Sequence, residues 1–532
     1  MITHADLVIR RLVGAGVKRL FGMPGGGSNA DLVEAAGRAG LPFTLAHTET
    51  ASAFMASAQA EITGNPGACI ATLGPGASSI MNGVANASLD RIPLIVITDC
   101  HPRASAHMQH QTLRHREIFA SLTKFSAEVS KENFCEVVYH AIESVCNPPY
   151  GPVHLDISAE VTASTAAAWR DSPERKPLGP ADNLSVAARQ LLASMKKPVF
   201  LVGLAARTPE ISAALRRASE DSGIPALITY KAKGVVSDRH PWYAGVLTNG
   251  ALESKVLERA DGFVAIGLDS VELLPRVWRF SQPVIGINPW LMDQKLVSLA
   301  FELIGDVLGS LNQVAAFLPK RTDWRMEEVS RLASAQREAM RPNHNGDGIA
   351  PHRVIDLTAE VYAGVRTTVD AGAHMFPVMS LWPADGPCNI LISNGLSTMG
   401  FALPAAIGAA LLDSPQPVLA FTGDGGLMMC LGELRTAARE NLPIRVIVFD
   451  DGVLNLIKIK QIQRGYRTDG VTIGKIDWEG LAASLGVLGK QAQTEAEFRA
   501  ALKDTIEHRG PVLIAASITE NTYPGTMRAL RG

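Results

Sequence analysis

VLAFTGDGGLMMCLGELRTAARENLPIRVIVFDDG, residues 418–452, places a helical pattern between two strand-like runs. Two apolar runs each end in acid: Asp424 after the first, Asp450 and Asp451 after the second. Between them Leu427, Cys430, Leu431, Leu434 and Ala438 fall on one helical face. The pattern predicts strand, helix, strand, and such a unit is right-handed with its strands parallel. Both acidic ends then emerge on the same sheet edge, where open α/β sheets bind ligands. Clustered carboxylates repel one another, and a divalent cation relieves that repulsion. Hard oxygens with no His or Cys beside them suit Mg²⁺ or Ca²⁺. Mg²⁺ takes few carboxylates and shares its shell with phosphates. Gly423, Gly425 and Gly426 leave the backbone open to close approach ahead of a helix N-terminus. GDG or DDG alone is most often a turn. The pair, flanking one βαβ unit, reads as a site for Mg²⁺ and a phosphorylated ligand.

The same alternation runs along the whole chain. At 532 residues it is too long for one core, and about three domains are expected. Apolar runs at 17–21, 68–72, 94–98 and 153–157 predict strands of a first domain, 1–165. Runs at 199–202, 262–266 and 284–287 predict a second, 185–320. Runs at 367–369, 418–421, 444–449 and 512–515 predict a third, 350–532. Each is expected to be a mainly parallel sheet flanked by helices. The first and third fit one α/β plan, although periodicity alone does not establish it. Linkers are expected at 163–182, rich in Ala, Ser and Pro, and at 320–347, a charged helical stretch ending in turn formers. Thr3 and Asp6 form a capping box at a helix start, so the N-terminus is not read as a signal peptide. No membrane span is expected. The 50 basic and 52 acidic residues nearly cancel, which argues against nucleic acid as a partner. The six cysteines have no CxxC spacing and read as buried reduced thiols of a cytoplasmic protein.

GDGG at 423–426, followed by FDDG at 449–452, resembles the thiamine-diphosphate motif, GDG then usually Asn-Asn. Other segments are similar to that enzyme family in the same order. They are FGMPGG (21–26), HTETASAFMA (47–56), TLGPGASSIMNGVANA (72–87), KGVVSDRHP (233–241) and GLSTMGFALPAAIGAA (395–410). The last closely resembles a stretch of acetolactate synthases. The resemblance spans nearly the whole chain and implies pyrimidine-binding, middle and diphosphate-binding domains.

It also implies roles. Pro24 and Gly25 lie in the family's GxPGG turn. Glu49 would hydrogen-bond N1′ of the aminopyrimidine and promote the tautomer that removes the C2 proton. Its apolar neighbours Ala51, Ala53 and Phe54 suit a carboxyl group that shares a proton. Met399 would support the cofactor's bend, and the backbone carbonyl near Ser397 would accept from its amino group. Asp424, the side chain of Asp451 and the carbonyl of Val453 would hold Mg²⁺, with Asp450 left to cap the turn. Gly423, Gly425 and Gly426 would approach the diphosphate. Gly372 and His374 match a diphosphate-contacting GQH segment whose Gln is Ala373 here. Without the motifs Glu49 is an ordinary helix-start acid, Met399 a core residue and His374 either surface or site.

Gln111 matches a Gln that would hydrogen-bond a substrate carbonyl or carboxylate. His101, His107, His110 and His115 crowd the same loop and are more often surface than proton shuttles. The resemblance further implies a homodimer or homotetramer, with Glu49 of one subunit facing the diphosphate site of another. Three departures count against branched-chain synthesis and FAD. Lys460 stands nine residues after Asp451, where acetolactate synthases usually carry a specificity Trp. Ala159 in DISAEV replaces a flavin-contacting Lys, and IGLDSVELLPR (266–276) lacks the flavin pattern. The expected activity is a lyase or carboligase transferring carbon next to the carbonyl of a small 2-oxo acid. A simple 2-oxo acid decarboxylase, an aldehyde lyase and a catalytically altered cofactor-binding paralogue remain as alternatives.

Overall fold

The computed structural model describes residues 2–102, 108–166, 178–179, 181–344, 346–412 and 416–532. His107 and most of the expected linker 163–182 lie outside them. Three domains each carry a six-stranded sheet flanked by helices, and every strand pairing within the sheets is parallel. The first sheet comprises β1 (Leu20–Met23), β2 (Phe43–Leu45), β3 (Gly67–Ala71), β4 (Leu94–Asp99), β5 (Phe125–Val129) and β6 (Val153–Ile157). Its spatial order is β2-β1-β3-β4-β6-β5. The second comprises β7 (Pro198–Val202), β8 (Ala226–Ile228), β9 (Tyr243–Val246), β10 (Gly262–Ile266), β11 (Val284–Asn288) and β12 (Phe301–Ile304). Its order is β12-β11-β10-β7-β8-β9. The third comprises β13 (Thr367–Val369), β14 (Ile390–Ile392), β15 (Val418–Gly423), β16 (Ile444–Asp450), β17 (Leu488–Ala492) and β18 (Val512–Ser517). Its order, β14-β13-β15-β16-β18-β17, repeats that of the first sheet strand for strand. In both, the direction of winding reverses beside the first strand, which opens a crevice at the carboxyl ends of β1 and β3, and of β13 and β15.

The central strands are buried on both faces, as parallel sheets covered by helices must be. The first and third domains share a core through two helices, Glu49–Thr63 and Ala402–Ala410. Small residues allow their close approach. A Cβ on Gly408 would stand 2.3 Å from the carbonyl oxygen of Met55, and Gln59 donates to the Gly408 carbonyl at 3.0 Å. The middle domain is tied in by buried charge. Lys231 Nζ lies 2.6 Å from Glu61 and 3.2 Å from Asp90, both of the first domain, and donates to the Ile392 carbonyl of the third. Arg207 also bonds Glu61. Lys231→Met is expected to lower stability by about 3–5 kcal/mol, because Asp90 is left buried without its cation. A thermal unfolding midpoint unchanged from the parent would contradict this.

Several expectations are corrected. The N-terminal strand begins at Leu20, not at 17, because the preceding helix runs on to Gly14 and the turn at Gly16 (φ 91°) intervenes. The capping box at Thr3 and Asp6 forms. The helix expected between Asp424 and Asp450 is two helices, Asp424–Met429 and Glu433–Arg439. The break at Gly432 brings the chain against His47, whose Cβ would be 3.0 Å from a Cβ at 432. All six cysteines are free, but only Cys69, Cys388 and Cys430 are buried, and Cys135 is exposed. Among the described residues no helix is long and apolar enough to cross a membrane.

Candidate active site

At the crevice of the third sheet, β15 ends at Gly423 and the chain turns directly into a helix with Asp424 as its first residue. Asp424 is buried. Its Oδ1 accepts from Gly425 N at 2.7 Å and its Oδ2 from Gly452 N at 2.7 Å, so one carboxylate binds two loops together. Asp450 is the last residue of β16, paired with Ser517, and Asp451 is the first beyond the strand. Asp451 Oδ1 accepts from Val453 N at 3.2 Å and Oδ2 from Asn455 Nδ2 at 3.0 Å. Burial, and then the neighbouring charge of Asp451, push Asp424 up to about 7. Among the described residues no three His, Cys, Asp or Glu side chains form a metal cluster. What is offered is a pair of carboxylates, with Val453 on the same cavity wall, a donor set that suits a hard cation whose shell is completed by a ligand.

These groups line a cavity of about 250 Å³. Gly372, His374, Ser397, Met399 and Val453 line it, as do Asp424, Asp451 and the glycines at 423, 425 and 426. Of the two adjacent aspartates, Asp451 is the one on its wall. Gly426 and Gly372 leave no room for a side chain. A Cβ at Gly426 would meet Asp370 Oδ2 at 2.3 Å, and one at Gly372 would meet the His374 ring at 2.7 Å. His374 is buried and stacks on Phe449 with ring centroids 5.1 Å apart. Burial pushes its imidazole down to about 3, so it is neutral near pH 7. Its Nε2 has no hydrogen-bond partner among the described residues. An unpartnered buried polar atom in the wall of a glycine-lined cavity fits an anionic ligand there.

Sequence reasoning passes over Asp370, which shapes the same cavity. Its carboxylate accepts from Gly400 N and Phe401 N at 3.0 Å and from Thr422 Oγ1 at 2.9 Å. It thereby clamps the loop carrying Met399 onto the end of β15. Burial pushes Asp370 up to about 6. Its position just after β13, an acid at a strand end like the others, is the signal that could have found it. Ser397 adopts φ 52°, a left-handed turn secured by its hydroxyl on the Asn394 carbonyl at 2.8 Å.

The first-domain candidates form a separate group. Glu49 opens its helix, with Thr48 as N-cap, and is 9% exposed. A Cβ at Gly76 would lie 3.2 Å from Glu49 Oε1, so the Gly74–Gly76 loop abuts the carboxylate. Gly25 has no room for a side chain against Thr72, and its N–H is held by Asn29 Oδ1 at 3.0 Å beside Pro24. Gln111 is exposed, adopts φ 61°, and lies against the same loop, where a Cβ at Gly74 would be 2.7 Å from its carbonyl oxygen. Glu49 and Gln111 thus share a loop, yet neither lines the cavity at Asp424.

The histidines divide. His101 and His110 are at least partly exposed, as expected of that loop. His115 is buried, which corrects the surface reading. Its Nδ1 lies 2.7 Å from Asp156, and its Nε2 accepts from Gly74 N at 3.3 Å. Burial alone would raise Asp156, but bonds from His115 and His154 hold it well below the usual carboxylate range. A third-domain residue missed by sequence, Glu433, accepts from His47 N at 2.8 Å and Thr48 N at 3.2 Å. It holds the start of the helix that carries Glu49 from across the domain boundary.

Residues 2–118 match the model of the thiamine pyrophosphate enzyme N-terminal TPP binding domain, 186–314 the central domain, and 370–516 the C-terminal TPP binding domain. The chain is 30% identical to an acetolactate synthase of Bacillus subtilis (strain 168), over 96% of this chain and 92% of that protein. It is 28% identical to a catabolic acetolactate synthase of Raoultella terrigena, over 99% and 97%. It is 26% identical to a probable 2-ketoarginine decarboxylase of Pseudomonas aeruginosa, over 96% and 93%.

Proposed function

Because the chain belongs to the thiamine pyrophosphate enzyme family, we propose that it is a thiamine-diphosphate- and Mg²⁺-dependent lyase or carboligase acting next to the carbonyl of a small 2-oxo acid. The observation that carries this reading is the convergence of paired carboxylates, three glycines and the unpartnered His374 nitrogen on one cavity. When bound, the cofactor supplies an acidic thiazolium C–H and an electron sink for C–C cleavage. Asp424, Asp451 and the Val453 carbonyl hold the cation. His374 and the backbone at Gly372 and 423–426 take the diphosphate. Met399 and the Ser397 carbonyl orient the rings. Glu49 from a second subunit holds the proton at the pyrimidine nitrogen. The separation of Glu49 from the Asp424 cavity within one chain supports a homodimer or a homotetramer built from such dimers. Gln111 bonds the substrate carbonyl or carboxylate. A simple 2-oxo acid decarboxylase is the second reading, favoured by similarity to the probable 2-ketoarginine decarboxylase.

The test is purified protein with Mg²⁺, thiamine diphosphate and a panel of 2-oxo acids and 2-hydroxyketones, beginning with pyruvate. Cofactor-dependent CO₂ release is expected, with acetolactate or acetoin marking carboligation and free aldehyde marking decarboxylation. Cofactor binding without turnover across the panel would instead identify a non-catalytic paralogue.

A further inference from the structure

A second cavity, of about 370 Å³, lies between the middle and third domains. It shares Ala371, Gly372, Ser397 and Leu456 with the Asp424 cavity, so the two adjoin. Two helices run from one to the other. Helix Asn455–Gln463 places Leu456 on both and Lys460, one turn later, on the second. Helix Tyr523–Arg531 places Tyr523 on the Asp424 cavity and Arg531 on the second.

The second cavity is therefore lined by two cations, neither paired with a carboxylate among the described residues. Its one acidic lining residue, Glu272, does not neutralise them. Glu272 is buried and its oxygens are taken by Leu204 N at 2.9 Å, Asp269 N at 3.1 Å and the Thr229 hydroxyl. Burial also pushes it up to about 7, which leaves it with only part of its charge. The intervening walls, Phe376, Leu273 and Leu274, are apolar. An apolar passage ending in unpaired Lys and Arg matches a short carbon chain ending in an anion.

We propose that this annex seats an anionic group at the far end of the substrate, so that the preferred substrate is a 2-oxo acid carrying a second, distal carboxylate. The inference rests on the functional reading above, and a binding measurement separates the two. Isothermal titration of the protein loaded with Mg²⁺ and thiamine diphosphate compares glutarate with pentanoate, which has the same length but an uncharged end. Glutarate is expected to bind at least about tenfold more tightly, and Lys460→Gln and Arg531→Gln each to remove about tenfold of that preference. In turnover, kcat/KM for 2-oxoglutarate is expected to exceed that for 2-oxopentanoate by a similar factor, and the ratio to fall in both variants. Equal affinities for glutarate and pentanoate, or a preference that neither substitution moves, would overturn the annex. Absence of CO₂ release from every 2-oxo acid, with the glutarate preference intact, would overturn the lyase reading and leave the annex standing.

Discussion

Glu49→Ala is expected to slow exchange of the cofactor's C2 proton by about 10²–10⁴-fold, the range for loss of a positioned acid–base group. Cofactor affinity is expected to change far less, because the groups proposed to hold the diphosphate and the cation all belong to the third domain. The site is built for one carboxylate. Glu49 sits at the mouth of a helix capped by Thr48 and is 9% exposed, with the Gly74–Gly76 loop against its oxygen. Glu433 fixes that helix start through the N–H groups of His47 and Thr48. The side chain therefore has little freedom, which favours one hydrogen-bond geometry over many. Exchange is read by NMR of the cofactor released by acid quench after incubation of the loaded protein in D₂O. Exchange in the variant at the parent rate would remove Glu49 from its assigned role, whatever the activity.

What could be read in advance follows burial. The eleven strands anticipated from sequence are apolar runs in sheet interiors, where both faces are covered and no alternation interrupts the run. The seven unanticipated strands include both edges of all three sheets: β2, β5, β9, β12, β14 and β17. Edge strands such as LGKQA at β17 or FSAEV at β5 are half-covered and carry polar residues. The remaining one, β8, has only three residues. The site divides along similar lines. Asp424 and its glycines are adjacent in sequence and Asp451 directly follows the next strand of the same βαβ unit, so that pattern alone points to one edge. Asp370 and Glu433 act through partners 30 to 386 residues away, and only the folded chain brings these together. His115 was misplaced because its loop is polar, while its own ring packs inward onto Asp156. The broken helix at Gly432 was hidden because a continuous helical pattern says nothing about which domain must fit beside it.

The largest effect on cofactor retention is expected at the cation site. Dialysis against EDTA is expected to strip the cofactor, and Asp424→Ala to weaken its retention by at least about 100-fold. Asp424 contributes more than a ligand oxygen. It holds the N–H groups of Gly425 and Gly452, and hydrogen bonds to a charged group are worth about 1.5–3 kcal/mol each. Its loss frees both loops that frame the cavity. Asp451→Asn is expected to behave oppositely. The shape is kept, one oxygen can still accept from Val453 N, and Asn455 can turn its amide to offer an acceptor to the new NH₂ group. Removing one negative charge beside a diphosphate lowers repulsion while weakening the cation, so cofactor affinity is expected to stay within about tenfold. Cofactor retained after gel filtration, measured by chromatography of the denatured protein, distinguishes the cases. Full activity without any divalent ion would refute the cation site. Complete loss of cofactor in Asp451→Asn would show that both charges are required.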